Sequence, residues 1–219
     1  MPTPVFQIRQ CPNEACRFRY PARDGDSTGE TCPRCGTPTT AVATLPSDQH
    51  SPTITTAGRL HLEILLDNIR STYNVGSMLR TADGAGVAHV HLCGITALPD
   101  HPRIAKTALG AEKAVPWTYY RNGVDAALSL KAQGYHLWAL ESGPRSQSLF
   151  AAAVEPAGRP VVLVVGNEQV GVDPGILAHC QRILALPMQG HKESLNAAVA
   201  FGIAVYTLRY GPLANALRG

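Results

Sequence analysis

Charge is scarce in this chain: Asp, Glu, Lys and Arg make up 16% of its 219 residues, against about 25% in an ordinary soluble protein. Long solvated tails are therefore not expected. The positive excess is only +3, too small to indicate a nucleic-acid partner unless the cations cluster. No stretch approaches the roughly 18 uninterrupted apolar residues of a membrane span, so no membrane partner is expected. The first residues, Met1 to Gln7, lack the basic-then-apolar pattern of a secretory leader. Action in the cytoplasm follows as the expectation. There is no internal repeat, no Walker sequence and no G-x-G-x-x-G dinucleotide fingerprint.

What the chain does have is 45% hydrophobic residues, enough for one full-sized core and a small appendage. Residues 1–45 are rich in Cys, Pro, Arg, Thr and Gly, and residues 46–56 read as a polar, proline-broken linker. From 57 to 219 apolar runs alternate with helical patterns. Strands are predicted at Leu60–Leu66, Val87–Cys93, Tyr135–Leu140, Val161–Val165 and Ile183–Leu186. Helices are predicted at Asn74–Ala85, Val124–Gln133, Pro174–Cys180 and Ser194–Arg209. This alternation predicts an α/β fold with a mostly parallel sheet.

Four of the six cysteines form two close pairs, Cys11/Cys16 and Cys32/Cys35, separated by fifteen residues. Without a secretory leader, metal binding is favoured over disulfides or redox chemistry. Four thiolates make a closed, structural zinc site, although such a set also accepts iron. The module resembles a zinc ribbon. Its Arg17, Phe18, Arg19, Tyr20 and Arg34 mix basic and aromatic groups, which suits either nucleic-acid contact or a solvated basic face. Cys93 and Cys180 fall in predicted regular elements and read as small buried hydrophobes.

Three polar segments remain. In Asp67–Arg80, Asn74 can cap the following helix, Gly76 permits close approach by a backbone or a phosphate, and Arg70 and Arg80 can contact an anion. In Val165–Gly171, Gly166 and Glu168 follow the most apolar strand, where open α/β sheets bind ligands. In Pro187–Ala200, Ser194 and Asn196 stand at the mouth of an apolar helix, an odd place for polar groups without a use.

Together these segments resemble the motifs of the SpoU/TrmH family of RNA ribose 2′-O-methyltransferases, within the SPOUT superfamily. N-x-G-x-x-x-R is met by Asn74, Gly76 and Arg80, and G-x-E-x-x-G by Gly166, Glu168 and Gly171. The proline-led S-L-N motif is met by Pro187, Met188, Ser194, Leu195 and Asn196. The resemblance implies a C-terminal deep trefoil knot and a homodimer. It also implies S-adenosylmethionine held by Leu140, Gly166, Asn167, Leu186, Pro187, Met188, Ser194 and Leu195. It puts Arg80 beside the reacting hydroxyl, with Asn74, Glu168, Ser194 and Asn196 orienting it, and Asn74 and Arg80 approaching a partner's cofactor site. The implied substrate is a ribose 2′-OH of tRNA or rRNA. A SPOUT base methyltransferase and a non-catalytic RNA-binding protein of the same fold stay open as alternatives.

Overall fold

The computed structural model describes residues 5–45, 60–151 and 159–211. The chain divides into two compact units, residues 1–55 and 56–219. The predicted linker lies outside the described residues.

The first unit is an antiparallel sheet of β1 (Phe6–Gln10), β2 (Arg19–Arg23) and β3 (Thr40–Leu45) in the order β2-β1-β3, with one 3-10 turn at Ser27–Glu30. Its buried set is small: Cys11, Ala22, Cys32 and Thr39. Tyr20 Oη donates to the carbonyl of Gly29, and Arg9 to the Thr39 hydroxyl and carbonyl. So little apolar burial cannot hold a fold of this size by itself.

The second unit is a seven-stranded sheet in the order β6-β5-β4-β9-β7-β10-β8, with every neighbouring pair parallel. Its strands are β4 (Leu62–Asp67), β5 (Val90–Cys93), β6 (Trp117–Tyr120), β7 (His136–Leu140), β8 (Gln147–Ser148), β9 (Val161–Val165) and β10 (Arg182–Ala185). β4 and β9 occupy the middle and are buried throughout, which is why both read as near-continuous apolar runs. The helices are α1 (Thr72–Ala85), α2 (Ala105–Ala108), α3 (Ala111–Ala114), α4 (Gly123–Ala132), α5 (Pro174–Leu177) and α6 (Ala197–Tyr210). Leu62, Ile64, Leu66, Val90 and Leu92 face a core with α1 and α6, while Leu65, Val162 and Val164 face α4 and α5. The buried Arg209 of α6 donates to the carbonyls of Leu60, Ala85 and Gly86, satisfying backbone acceptors at the end of α1.

Several predicted features are corrected. α1 starts at Thr72 because Ser71, in extended conformation, accepts from the Asn74 amide and is the N-cap. Asn74 is thus inside the first turn and its side chain is free for other work. A Cβ on Gly76 would lie 2.1 Å from Thr107 Oγ1 and 2.7 Å from the Ile104 carbonyl. The closeness that Gly76 allows is therefore spent on α2 of the same chain. α6 begins at Ala197, so Ser194 lies in the preceding loop.

One polar cluster is buried at the other end of β4. Glu63 accepts from Tyr135 Oη (2.6 Å), His91 Nε2 (2.8 Å) and His61 Nε2 (3.1 Å). Burial alone would raise the Glu63 carboxyl, but these three bonds outweigh it and hold it below 4.5. Burial holds His91 below 6.5 against the pull of Glu63. His91 Nδ1 has no hydrogen-bond partner among the described residues, so a second ring proton would find no acceptor. Both groups have depressed folded values, so their stabilisation is present at neutral pH and lost on acidification. Stability should fall first below pH 6.5, where the unfolded chain takes up a proton that folded His91 resists, then further below pH 4.5, where the same holds for Glu63. The slope approaches about 1.4 kcal/mol per pH unit for each proton taken up. Asp67, raised by burial, runs the other way. Urea midpoints at pH 7.5 and 5.5 for the protein and for His91→Phe test this: the variant should show the smaller drop, and equal drops would contradict it.

Candidate active site and cysteine cluster

The polar segments converge at the C-terminal ends of β7 and β9. After Val165 the chain turns back on itself, with reciprocal Asn167–Gly171 backbone bonds of 3.0 and 2.9 Å. A Cβ on Gly166 would lie 2.2 Å from the Gly171 and Val172 backbone, so only glycine fits there. Asn167 Oδ1 accepts from the Gln169 and Val170 amides, and its Nδ2 donates to the Asn68 carbonyl (2.7 Å). Glu141, just past β7, accepts from the Val172 amide (2.9 Å) and braces the same turn from the other side.

This turn aims Glu168 at the start of α1. Its carboxylate accepts from the Arg70 amide (2.8 Å), the Ser71 amide (3.0 Å) and Asn74 Nδ2 (2.9 Å). Asn74 Oδ1 in turn accepts from Asn196 Nδ2 (3.1 Å). Asn196 Oδ1 caps α6 through the Ala198 and Val199 amides. The network fixes both amide orientations, since each oxygen faces donors and each nitrogen an acceptor. Burial would raise the Glu168 carboxyl, yet the three donors together hold it below 4.5. It is an anion at the N-terminus of a fourteen-residue helix, where the helix field favours one.

The network borders a cavity of about 770 Å³, within the usual range for small-molecule sites. Leu140, Leu184, Leu186 and Ala200 line it as apolar groups, beside Glu168, Asn74 and Asn196. Of the residues expected to hold a cofactor, Leu140, Gly166, Asn167, Leu186, Met188, Ser194 and Leu195 line the cavity, and Pro187 does not. Of those expected near the chemistry, Asn74, Glu168, Ser194 and Asn196 line it, and Arg80 does not. Arg80 is exposed on α1, six residues past Asn74, which at 3.6 residues per turn puts it on another side of the helix. Asn74, expected near a partner's site, borders the cavity of its own chain. Glu141 also lines the cavity and went unnoticed in the sequence. Its position one residue past a predicted strand end was the available signal.

Residues 61–206, well over half of the chain, match the SpoU rRNA Methylase family. The chain belongs to that family. The SpoU match extends to the 23S rRNA (guanosine(2553)-2′-O)-methyltransferase RlmP of Bacillus subtilis, 36% identical over 67% of this chain and 57% of that protein. The chain thus spans less than two thirds of that relative's length. Among solved structures, a TrmH-family RNA methyltransferase from Porphyromonas gingivalis is 29% identical, with a TM-score of 0.62 over 85% of this chain and 71% of its own. An AdoMet-bound rRNA methyltransferase from Sinorhizobium meliloti is 28% identical, with a TM-score of 0.65 over 76% and 63%. The SpoU-type fold is therefore the architecture of residues 60–151 and 159–211. Among the described residues no helix is long and apolar enough to cross a membrane.

In the first unit the Sγ atoms of Cys11, Cys16, Cys32 and Cys35 all lie within 4.8 Å of one another. The Cys11–Cys35 and Cys16–Cys32 separations are 3.5 and 3.8 Å. A tetrahedral zinc with bonds of about 2.3 Å needs sulfur–sulfur edges of about 3.8 Å, so the four cysteines are placed to hold zinc. Each pair sits on a turn closed by a left-handed residue directly after its second cysteine, Arg17 (φ 47°) and Gly36 (φ 74°). The Thr37 hydroxyl and amide beside Cys35 Sγ pull that thiol down to about 6, while burial pushes the Cys11 thiol up to about 11.

Proposed function

We propose that the chain transfers a methyl group from S-adenosylmethionine to a ribose 2′-OH of tRNA or rRNA, acting in the cytoplasm as a homodimer. The observation that carries this reading is the Glu168–Asn74–Asn196 network, which gathers the three motif segments around one cavity at the strand ends. The size of the cavity and its mixture of apolar walls with backbone and amide groups fit an adenosine-containing ligand. The knotted passage implied by the SpoU/TrmH resemblance belongs to the same reading. The backbone approach at Gly166 and the placing of β10 between β7 and β8 support it. Exposed Tyr73 of α1 and Val199 and Tyr206 of α6 support a dimer face. Residues 1–45 are the proposed zinc module and 57–219 the methyltransferase domain.

Bound S-adenosylmethionine supplies a sulfonium methyl already activated for displacement, so the chain's task is positioning. Leu140, Leu186 and Leu195 would pack the ligand and keep water out, while Gly166 lets the 171–172 backbone close the turn that borders the cavity. Glu168 holds Asn74 and the first turn of α1 in place, and Asn196 fixes the start of α6 against Asn74. Arg80 supplies a guanidinium, a planar fork of N–H donors that matches a phosphate. It orients the RNA and stabilises the developing alkoxide. The SpoU/TrmH resemblance implies that its target is the cavity of a second protomer, and its place outside its own chain's cavity supports that reading.

Arg80→Ala should lower methyl transfer by about a hundredfold or more, the usual effect of removing one such donor, and leave S-adenosylmethionine affinity unchanged by calorimetry. Mixing Arg80→Ala with Glu168→Ala chains should restore part of the activity if the arginine works across the dimer. Equal loss of binding and turnover in a folded Arg80→Ala chain would contradict the role. Digestion of the methylated RNA to nucleosides should give a 2′-O-methyl product; a methylated base would refute the ribose reading.

A further inference from the structure

Residues 103–121, which carry α2, α3 and β6, hold four Lys or Arg and one Glu. The chain as a whole has nineteen Lys or Arg and sixteen Asp or Glu, so fifteen of each remain elsewhere. All of the +3 net charge therefore lies in this one segment. Arg103, Lys106, Lys113 and Arg121 are exposed, and among the described residues no carboxylate pairs with them. The segment's only anion, Glu112, is engaged with the Gly110 amide.

Two aromatic rings belong to the same segment as these cations. β6 is the edge strand, and its Trp117 and Tyr119 align in parallel register with Val90 and Leu92. Neighbours in register share a face, and Val90 and Leu92 belong to the core under α1. Both rings therefore project from the α1 side of the sheet, past its last strand. There they are 39% and 41% exposed. Ile104, Ala108 and Val115 sink into the same core, fixing α2 and α3 on that side, and α3 leads into β6 through Val115 and Pro116. Tyr119 Oη donates to the Gly94 carbonyl (2.9 Å), which anchors its ring at the C-terminal end of β5. The candidate active site lies at the same end of the sheet.

Exposed rings beside unpaired cations are the two parts of a single-strand nucleic-acid platform: bases stack on the rings, and phosphates meet the cations. We propose that this surface docks an unpaired stretch of RNA. The proposal rests on the reading that the substrate is RNA, and it goes further by naming where the substrate is held and in which form. A double-stranded helix keeps its bases stacked inside and cannot use the rings.

The test is fluorescence anisotropy with a labelled single-stranded oligoribonucleotide of mixed sequence, using the full chain. Trp117→Ala should weaken binding by about 5- to 150-fold, the range for losing one stacked base. Lys106→Gln/Lys113→Gln, on exposed positions that cannot unfold the chain, should reduce the slope of log affinity against log salt by about 1.4, or 0.7 for each lost phosphate contact. Both should bind S-adenosylmethionine as the parent does. The same oligonucleotide annealed to its complement should compete poorly. Parent-like RNA binding by both variants, or equal competition by the duplex, overturns the platform, and methylation by the parent would leave the proposed function standing. Weakened binding by the variants with no methylation by the parent would have the reverse meaning: the platform holds and the methyltransferase reading falls.

Discussion

Glu168→Ala should reduce methyl transfer about a thousandfold and weaken S-adenosylmethionine binding with it. The carboxylate accepts from two backbone amides and from Asn74, and each hydrogen bond to a charged group contributes about 1.5–3 kcal/mol. Losing all three frees the first turn of α1 and breaks the link to Asn196, so about 4.5 kcal/mol of positioning is lost at the low end of that range, or about three powers of ten in rate. Glu168→Gln should be milder, because one amide oxygen still accepts while its NH2 group faces a donor. Single-turnover methylation with radiolabelled cofactor, beside calorimetry of cofactor binding, separates this outcome from that of Arg80→Ala. Near-parental turnover by Glu168→Ala would remove the network from the mechanism.

The second large effect concerns the cysteine cluster. Removing the metal with a strong chelator, or introducing Cys32→Ser, should unfold residues 5–45 outright. Structural zinc supplies about 10–16 kcal/mol in small zinc modules, and among the described residues the buried side chains of this unit are Cys11, Ala22, Cys32 and Thr39. Loss of dispersed amide resonances from residues 5–45, with dispersed resonances retained for the second unit, is the expected spectrum. Elemental analysis should find one zinc per chain. A module that keeps its resonances after complete chelation would show that the thiols are not a metal staple.

Much of this molecule was legible because its core strands are buried on both faces. Val161–Val165 was placed to the residue, and the sheet class followed from the alternation of strands with helices. The stretch between β5 and α4 was not legible. Helices α2 and α3 have four residues each and one buried residue apiece, too few to set a period. β6 has no buried residue at all, being an edge strand. At the site, residue types identified the three segments, but which partner each side chain takes is a tertiary matter. Asn74 looked like a cap because Asn suits that role. Ser71 takes the cap instead, and Glu168, 94 residues away, takes the Asn74 side chain. Arg80 shares its motif with Asn74 but not its direction, since a helix turns the two apart.

The bonds that shape the cavity also set when it can first exist. Arg70 and Glu168 are 98 residues apart, and Asn74 and Asn196 are 122 apart. None of these contacts closes locally, so the site adds to the contact order of the domain and has to wait for its slow, long-range pairings. During synthesis the ribosome must emit nearly the whole domain before Asn196 can reach Asn74. A nascent or truncated chain ending before that residue would present α1 and the 166–171 turn without the third wall of the cavity, and so, on the proposed function, could neither hold the methyl donor nor modify RNA prematurely.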